Sequence, residues 1–266
     1  MTARRRGVVY VVAKAPRPGE AKTRLCPPLQ PDRAARLAEA FVLDTLTAVR
    51  ATNLHARVIC RNPAERADLE QRIGGLATVC TQAGTGLGDA LESAFRQGLT
   101  DGFPAVGVLG ADTPTLPPKV LDDAFAALEQ GADVSLGPSE DGGYYLLAAR
   151  ALHRALFRQM AWSTTSVART TIQRCHALGL RTHFLPEWYD VDDPDSLTRL
   201  LGHLREAPSS LAPHTRRQLA GHASMSTQPS AAADASRAAA NRCAATAAAK
   251  PGKGSSPRTA PTRRSK

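Results

Sequence analysis

The chain has 266 residues, a hydrophobic fraction of 42% and a formal net charge of +10. The length predicts one large α/β domain with a well-buried core, and membrane-spanning helices are excluded because no stretch approaches the roughly 20 apolar residues they need. The five cysteines are dispersed, without a C-x-x-C pair, so we expect reduced thiols and a cytoplasmic location.

Apolar, β-branched runs alternate with helical patterns along the chain. Strands are predicted at 7–13, 56–60, 77–81, 105–110, 132–136 and 181–185. Helices are predicted at 31–50, around the series Leu91, Phe95 and Leu99, and at 117–131, 163–178 and 194–204. The run Tyr144–Ala149 follows a glycine turn and is expected to pair antiparallel near the sheet edge. This alternation predicts a mostly parallel mixed sheet.

The segment 224–266 differs in composition from the rest of the chain. It is dominated by Ala, Ser, Thr, Pro, Lys and Arg, and its eight bases and one acid account for +7 of the net charge. Such a segment cannot bury enough apolar surface to offset the entropy of ordering. We therefore predict a folded domain over 1–223 and a disordered basic tail over 224–266, which could contact polyanions without specificity. No specific nucleic-acid partner is expected.

Four basic residues follow the first predicted strand directly: Lys14, Arg17, Lys22 and Arg24. Glycine and proline between them, including Gly19, allow the backbone to fold tightly around phosphate oxygens. In an open parallel sheet, ligands bind beyond the carboxyl ends of the strands. We predict that this loop binds nucleotide phosphates, with a solvated surface loop as the alternative.

A glycine-rich segment, 84–88, follows the third predicted strand. It lacks the spacing of a dinucleotide fingerprint, and the basic loop lacks the glycines of a P-loop. Gly86 and Gly88 would let backbone amides approach a nucleotide, and a plain loop is the alternative.

Carboxylates follow another predicted strand and precede the last predicted helix. Asp112 ends the strand at 105–110, and a cluster of acids begins at Asp190. Each acid could instead start a turn or cap a helix. Hard oxygen ligands suit Mg²⁺ or Mn²⁺, which one or two carboxylates hold together with substrate phosphates. We predict such a metal as cofactor.

The segments 13–25, 110–117, 137–147, 162–167 and 190–197 resemble, in order, one bacterial family. It comprises the glycosyltransferase-A-like transferases that accompany radical-SAM/selenocysteine-domain proteins, often described as arsenosugar-biosynthesis glycosyltransferases. More distantly, the chain is similar to 2-phospho-lactate guanylyltransferase and to sugar-acid cytidylyltransferases. The resemblance covers residues 7–205 and implies a nucleotide-diphospho-sugar transferase (GT-A, Rossmann-like) fold.

This resemblance also implies roles for individual residues. Lys22 and Arg24 would hold nucleotide phosphates and Asp112 would bind the metal, which makes these three the catalytic candidates. Asp192 would supply the second metal carboxylate, and the neighbouring acids at 190 and 193 are the alternatives.

The acceptor side is implied by two further segments. The turn Asp141-Gly142-Gly143 and the loop that begins Trp162-Ser163-Thr164 would line it, and a hydroxyl-rich wall with one aromatic ring suits a polar substrate. Trp162 could instead be a core residue.

The leading hypothesis is a metal-dependent glycosyltransferase that uses a nucleotide sugar and a small polar acceptor. The alternative within enzymes is a nucleotidyltransferase, which joins a nucleoside triphosphate to a small phosphorylated acceptor and releases pyrophosphate. A third hypothesis is a non-catalytic protein that binds nucleotides or polyanions.

Overall fold

Seven strands form one mixed sheet within residues 6–220, the part of the chain that the computed structural model describes. The sheet order is β3-β2-β1-β4-β6-β5-β7, and β6 alone runs antiparallel, between β4 and β5. The strands are β1 (Val8–Val12), β2 (His55–Cys60), β3 (Thr78–Thr81), β4 (Val106–Gly110), β5 (Val134–Pro138), β6 (Tyr144–Ala149) and β7 (Thr182–Phe184). The predicted α/β class with a mostly parallel mixed sheet is confirmed.

Helices connect most of the parallel strands. They are α1 (Pro31–Arg50), α2 (Pro63–Ile73), α3 (Leu87–Thr100), α4 (Pro118–Glu129), α5 (Val167–Ala177), α6 (Pro194–Glu206) and α7 (Pro213–Ala220), with short 3-10 helices at Thr23–Leu25 and Arg154–Leu156. Five of the seven α-helices within residues 6–220 begin at a proline. The fixed φ of proline suits the first helical position, where a backbone N–H would have no partner inside the helix. This explains why several predicted helix starts were accurate.

The sheet is covered on both faces by apolar side chains. Val9 and Val11 of β1 pack with α1, α2 and α4 on one face, whereas Val8 and Tyr10 pack with α3 on the other. A third apolar cluster joins α1, α6 and α7. This cluster includes Leu25, so it anchors the end of the basic loop to the core.

Three expectations about the elements were wrong or incomplete. β6 is a central strand rather than an edge strand, because its residues from Tyr145 to Ala149 are all buried and β5 and β7 extend the sheet beyond it. The helix expected from 163 begins only at Val167, since Ser163 has a φ of 62° that interrupts a helix. α2 and α7 were not predicted; α2 buries only Glu65, Leu69 and Ile73, so its apolar pattern is weak.

Within residues 6–220, each helix is too short or too polar to cross a lipid bilayer. The predicted tail at 224–266, and the polyanion contacts expected of it, lie outside the described residues.

Candidate active site

The basic loop and the two acidic segments meet at the carboxyl ends of the parallel strands. β1, β4 and β5 run in the same direction, so the loops that follow them all lie beyond the carboxyl ends of the parallel strands. The backbone N–H of Val191 donates to the carbonyl of Asp112 at 2.9 Å, which brings the acidic segment before α6 beside the end of β4. Residues separated by almost eighty positions in sequence thus become neighbours.

Lys22 lies between the two predicted metal carboxylates. Its Nζ is 2.6 Å from Asp112 Oδ1 and 2.7 Å from Asp192 Oδ1, and it donates to the carbonyl of Val191 at 2.7 Å. The lysine side chain is only 7% exposed, whereas both carboxylates are 45% exposed. Burial alone would lower the pKa of Lys22, but the two carboxylate charges outweigh it and raise that pKa above its ordinary value.

The structure assigns different tasks to the acids that the sequence left as alternatives. Asp193 is the N-cap of α6, where its Oδ1 accepts from the N–H of Ser196 at 2.8 Å. Asp192 contacts Lys22. Asp190 is half-buried and hydrogen-bonded to Ser139, and its partial burial, helped by the charges of nearby carboxylates, raises its pKa to about 7. Asp192 is therefore the one of the three that faces the same cation as Asp112.

The other predicted phosphate-binding cations have environments that differ from that of Lys22. Arg17 Nε lies 3.2 Å from Asp68 Oδ2 of α2. Lys14 and Arg24 are exposed, as is Gly19, whose φ of 77° allows the loop to turn. The loop thus presents Lys14 and Arg24 to solvent, while Lys22 is buried against carboxylates.

Gly86 and Gly88 share a cavity with Trp162, although the sequence assigned the glycines to the nucleotide and the tryptophan to the acceptor. The cavity has a volume of about 700 Å³. A Cβ on Gly88 would lie 2.9 Å from the Trp162 indole nitrogen and 2.8 Å from the carbonyl oxygen of Phe157. Trp162 is half-buried and meets the ring of Tyr144 edge-on at 6.4 Å, so it combines packing with a place at the cavity wall.

The two predicted acceptor segments contact each other. Asp141 Oδ1 accepts from the N–H of Gly143 at 2.8 Å and thereby shapes the turn. Gly142 has a φ of 87°, and a Cβ there would collide with the backbone of Thr165. On the partner loop, Ser163 and Thr164 are exposed, and Thr164 Oγ1 donates to the carbonyl of Ala161 at 2.8 Å.

Tyr189 ties the acidic loops together and was not singled out from the sequence. Its hydroxyl lies 3.3 Å from Thr115 Oγ1, on the loop that carries Asp112, and 2.9 Å from His203 Nδ1 of α6. Arg199 lies over its ring at 4.1 Å. The alternation of apolar and acidic residues in Tyr189-Asp190-Val191-Asp192 is the sequence signal that would have located it, because it indicates that Tyr189 and Val191 face the interior.

We expect Tyr189→Phe to lower kcat/KM about tenfold. An effect of this size is common when a residue loses a hydrogen bond through which it orients the residues that bind a metal. Stability should fall by about 1–2 kcal/mol because Thr115 and His203 lose a buried partner. Steady-state kinetics and urea denaturation measure the two effects.

Tyr144→Phe is the matched control for stability. The Tyr144 hydroxyl is buried without a hydrogen-bond partner among the described residues, so its removal should leave the protein equally or more stable. Equal stability losses in both variants would contradict the tethering role of Tyr189.

Gly88→Ala is expected to displace the 157–162 segment, because the new methyl group meets the Phe157 carbonyl and the Trp162 ring. The measurement is Trp162 fluorescence in a Trp188→Phe background, where a shifted emission maximum is expected. Gly202→Ala on α6 is the control, since a Cβ there meets nothing within 4 Å. An unchanged spectrum for Gly88→Ala would show that this contact is not tight in solution.

The residues present fit a divalent cation of the magnesium type. Asp112 and Asp192 supply hard carboxylate oxygens that converge on one position, which is filled by the Lys22 ammonium. Among residues 6–220, no group of three or more His, Cys, Asp or Glu side chains forms a metal cage. Two carboxylates completed by substrate phosphates are the usual arrangement for Mg²⁺.

Comparisons with known proteins show the family to which the chain is related. Residues 45–164 match the family model described as an uncharacterized protein conserved in bacteria (DUF2064). The chain is 32% identical over 225 residues to a phosphoenolpyruvate guanylyltransferase from Geodermatophilus obscurus, covering 80% of this chain and 94% of that one.

Solved structures share the fold. One from Desulfovibrio desulfuricans G20, described as a nucleotide-diphospho-sugar transferase, has a TM-score of 0.74 and 26% identity, covering 81% of this chain and 96% of that one. A cytidylyltransferase from Leptospira borgpetersenii has a TM-score of 0.53 at 10% identity over 84% of this chain and 97% of that one, which supports the fold alone. The resemblance to nucleotide-dependent transferases is confirmed. Nucleotidyl transfer, the alternative in the sequence analysis, is supported, and the leading prediction of glycosyl transfer is not confirmed.

Proposed function

Because the chain belongs to the same family as the phosphoenolpyruvate guanylyltransferase of Geodermatophilus obscurus, we propose that it transfers a guanylyl group from GTP to a small phosphorylated acid, with phosphoenolpyruvate as the first candidate. The protein is a transferase, as its relatives are. The geometric observation that carries the proposal is the convergence of Asp112, Asp192 and Lys22 beside an exposed basic loop.

The proposed chemistry needs no nucleophile from the protein. An oxygen of the acceptor phosphate forms a bond to the α-phosphorus of the nucleotide, the bond from that phosphorus to the α,β-bridging oxygen breaks, and pyrophosphate leaves with the electron pair. A phosphate is already anionic at neutral pH, so the enzyme has to orient two anions and neutralise their charge. This matches a site in which the Lys22 ammonium meets the carboxylates of Asp112 and Asp192.

Charge neutralisation is assigned to the basic loop. Lys14 and Arg24 are exposed on the same loop as Lys22 and would contact the triphosphate, while Arg17 of this loop pairs with Asp68. Asp112 and Asp192 would hold Mg²⁺ or Mn²⁺, which supplies charge for the departing pyrophosphate when bound. The turn at Asp141–Gly143 and the loop at Trp162–Thr164 would hold the acceptor.

The decisive experiment identifies the products. The wild-type protein is incubated with Mg²⁺ or Mn²⁺, phosphoenolpyruvate and each of the four common nucleoside triphosphates, and products are followed by a pyrophosphate assay and ³¹P NMR. We expect pyrophosphate and a new phosphoanhydride signal with GTP. The absence of pyrophosphate with all four triphosphates would contradict nucleotidyl transfer to phosphoenolpyruvate.

Glycosyl transfer remains the second candidate because of the similarity to the structure described as a nucleotide-diphospho-sugar transferase. It predicts a different leaving group: a nucleoside diphosphate released from a UDP- or GDP-sugar. The same assays with sugar nucleotides as donors therefore distinguish the two reactions.

A further inference from the structure

The Lys22 ammonium is bound as a metal ion would be. Its three N–H donors match three oxygen acceptors at 2.6–2.7 Å: the carboxylates of Asp112 and Asp192 and the carbonyl of Val191. The ring of Phe41 lies 5.4 Å from the same nitrogen. The cation is thus enclosed by its own ligand set, whereas the carboxylates that hold it remain accessible to solvent.

We propose that the Lys22 ammonium occupies the metal position between Asp112 and Asp192 until a divalent cation binds there. The divalent cation displaces the ammonium, and the released ammonium then binds the nucleotide phosphates. The proposal rests on the proposed function for the identity of the nucleotide. Mg²⁺ and Mn²⁺ need carboxylate oxygens at about 2.0–2.1 Å. Two cations cannot share Asp112 and Asp192 at such distances without strong repulsion, so occupancy by one excludes the other.

The local backbone is compatible with an ammonium that changes partners. Lys22 has a φ of 49°, a left-handed conformation that a non-glycine residue keeps only when its surroundings hold it. A backbone hydrogen bond that does not involve the ammonium helps to hold it, since the N–H of Leu25 donates to the carbonyl of Lys22 at 2.9 Å. Gly19, Glu20 and Thr23 beside it are exposed, so the flexible lysine side chain can turn toward solvent and a triphosphate while buried Leu25 anchors the loop.

The test compares Mn²⁺ and nucleotide binding by wild type, Lys22→Met and Lys119→Met. Lys119 is exposed on α4 and pairs with Asp123, so it controls for the loss of a positive charge away from the site. Mn²⁺ affinity is measured by electron paramagnetic resonance without nucleotide, and GTP affinity by calorimetry with Mn²⁺ present.

Lys22→Met should bind Mn²⁺ at least about tenfold more tightly than wild type, because the competing charge is gone. GTP affinity in the presence of Mn²⁺ should fall at least about tenfold, because a phosphate contact is lost. Opposite changes in the two affinities are the signature of a residue that exchanges partners, since structural damage would weaken both. Lys119→Met should match wild type in both measurements.

Unchanged or weaker Mn²⁺ binding by Lys22→Met would overturn the proposal. Circular dichroism verifies folding, and Lys22→Gln, which keeps a hydrogen-bond donor, replaces the methionine variant if that variant does not fold. If wild type releases pyrophosphate but neither it nor the variant binds Mn²⁺, the proposal fails while the function stands. If a nucleoside diphosphate is the product instead, the proposed function fails and the Mn²⁺ comparison still decides the role of Lys22.

Discussion

Asp112→Asn is expected to lower kcat/KM for pyrophosphate release by about 10²- to 10³-fold, the loss typical of removing one preorganised electrostatic contact to a transition state. Asparagine keeps the size of the side chain but removes the negative charge. The variant therefore loses half of the carboxylate pair that would hold the cation, and it leaves Lys22 with Asp192 as its remaining carboxylate. Folding should be retained because Asp112 is 45% exposed.

Two further variants make this result interpretable. Asp195→Asn is the control, since Asp195 is an exposed acid in the first turn of α6, and its activity should stay close to wild type. Asp192→Asn should be nearly as inactive as Asp112→Asn, and the double variant should lose less than the product of the single effects, because the two carboxylates act on one cation. Full activity of Asp112→Asn would remove Asp112 from the catalytic site.

Asp44→Ala should destabilise the protein by about 2–4 kcal/mol, because a buried charged acceptor is removed from two backbone donors. Asp44 is 3% exposed on α1, and its two carboxylate oxygens accept from the N–H groups of His214 at 3.0 Å and Thr215 at 2.7 Å. These N–H groups lie in the first turn of α7, an eight-residue helix that is too short to be stable without tertiary contacts. Urea denaturation measures the loss.

Asp123→Ala is the control for this prediction. Asp123 makes an exposed pair with Lys119 on α4, so its removal should change stability by no more than about 0.5 kcal/mol.

We also expect weakened Mn²⁺ binding by Asp44→Ala, because Leu219 of α7 packs in the cluster that contains Leu25 and Phe41 beneath Lys22. A stability loss no greater than that of the control would indicate that α7 is held by apolar contacts alone.

Local patterns in the sequence determined most of the strands and helices, and they indicated that the candidate site lies at the carboxyl ends of the parallel strands. β-branched runs predicted the parallel strands, and the prolines at positions 31, 118 and 194 marked helix starts, because both signals act through a residue's own backbone preferences. The rule that ligands bind beyond the carboxyl ends of parallel strands then placed the basic loop and Asp112 together. α2 escaped prediction because few of its residues are apolar and buried.

The tertiary structure decided which of these residues act together. Asp190, Asp192 and Asp193 are the same residue type within one short segment, but the structure makes Asp190 a half-buried acid beside Ser139, Asp192 a partner of Lys22 and Asp193 the N-cap of α6. The task of Lys22 depends on Val191 pairing with Asp112, and that of Tyr189 depends on Thr115 and His203, which are distant in sequence. Contacts between segments far apart along the chain depend on how the whole sheet and its helices pack, and a local pattern does not contain that information.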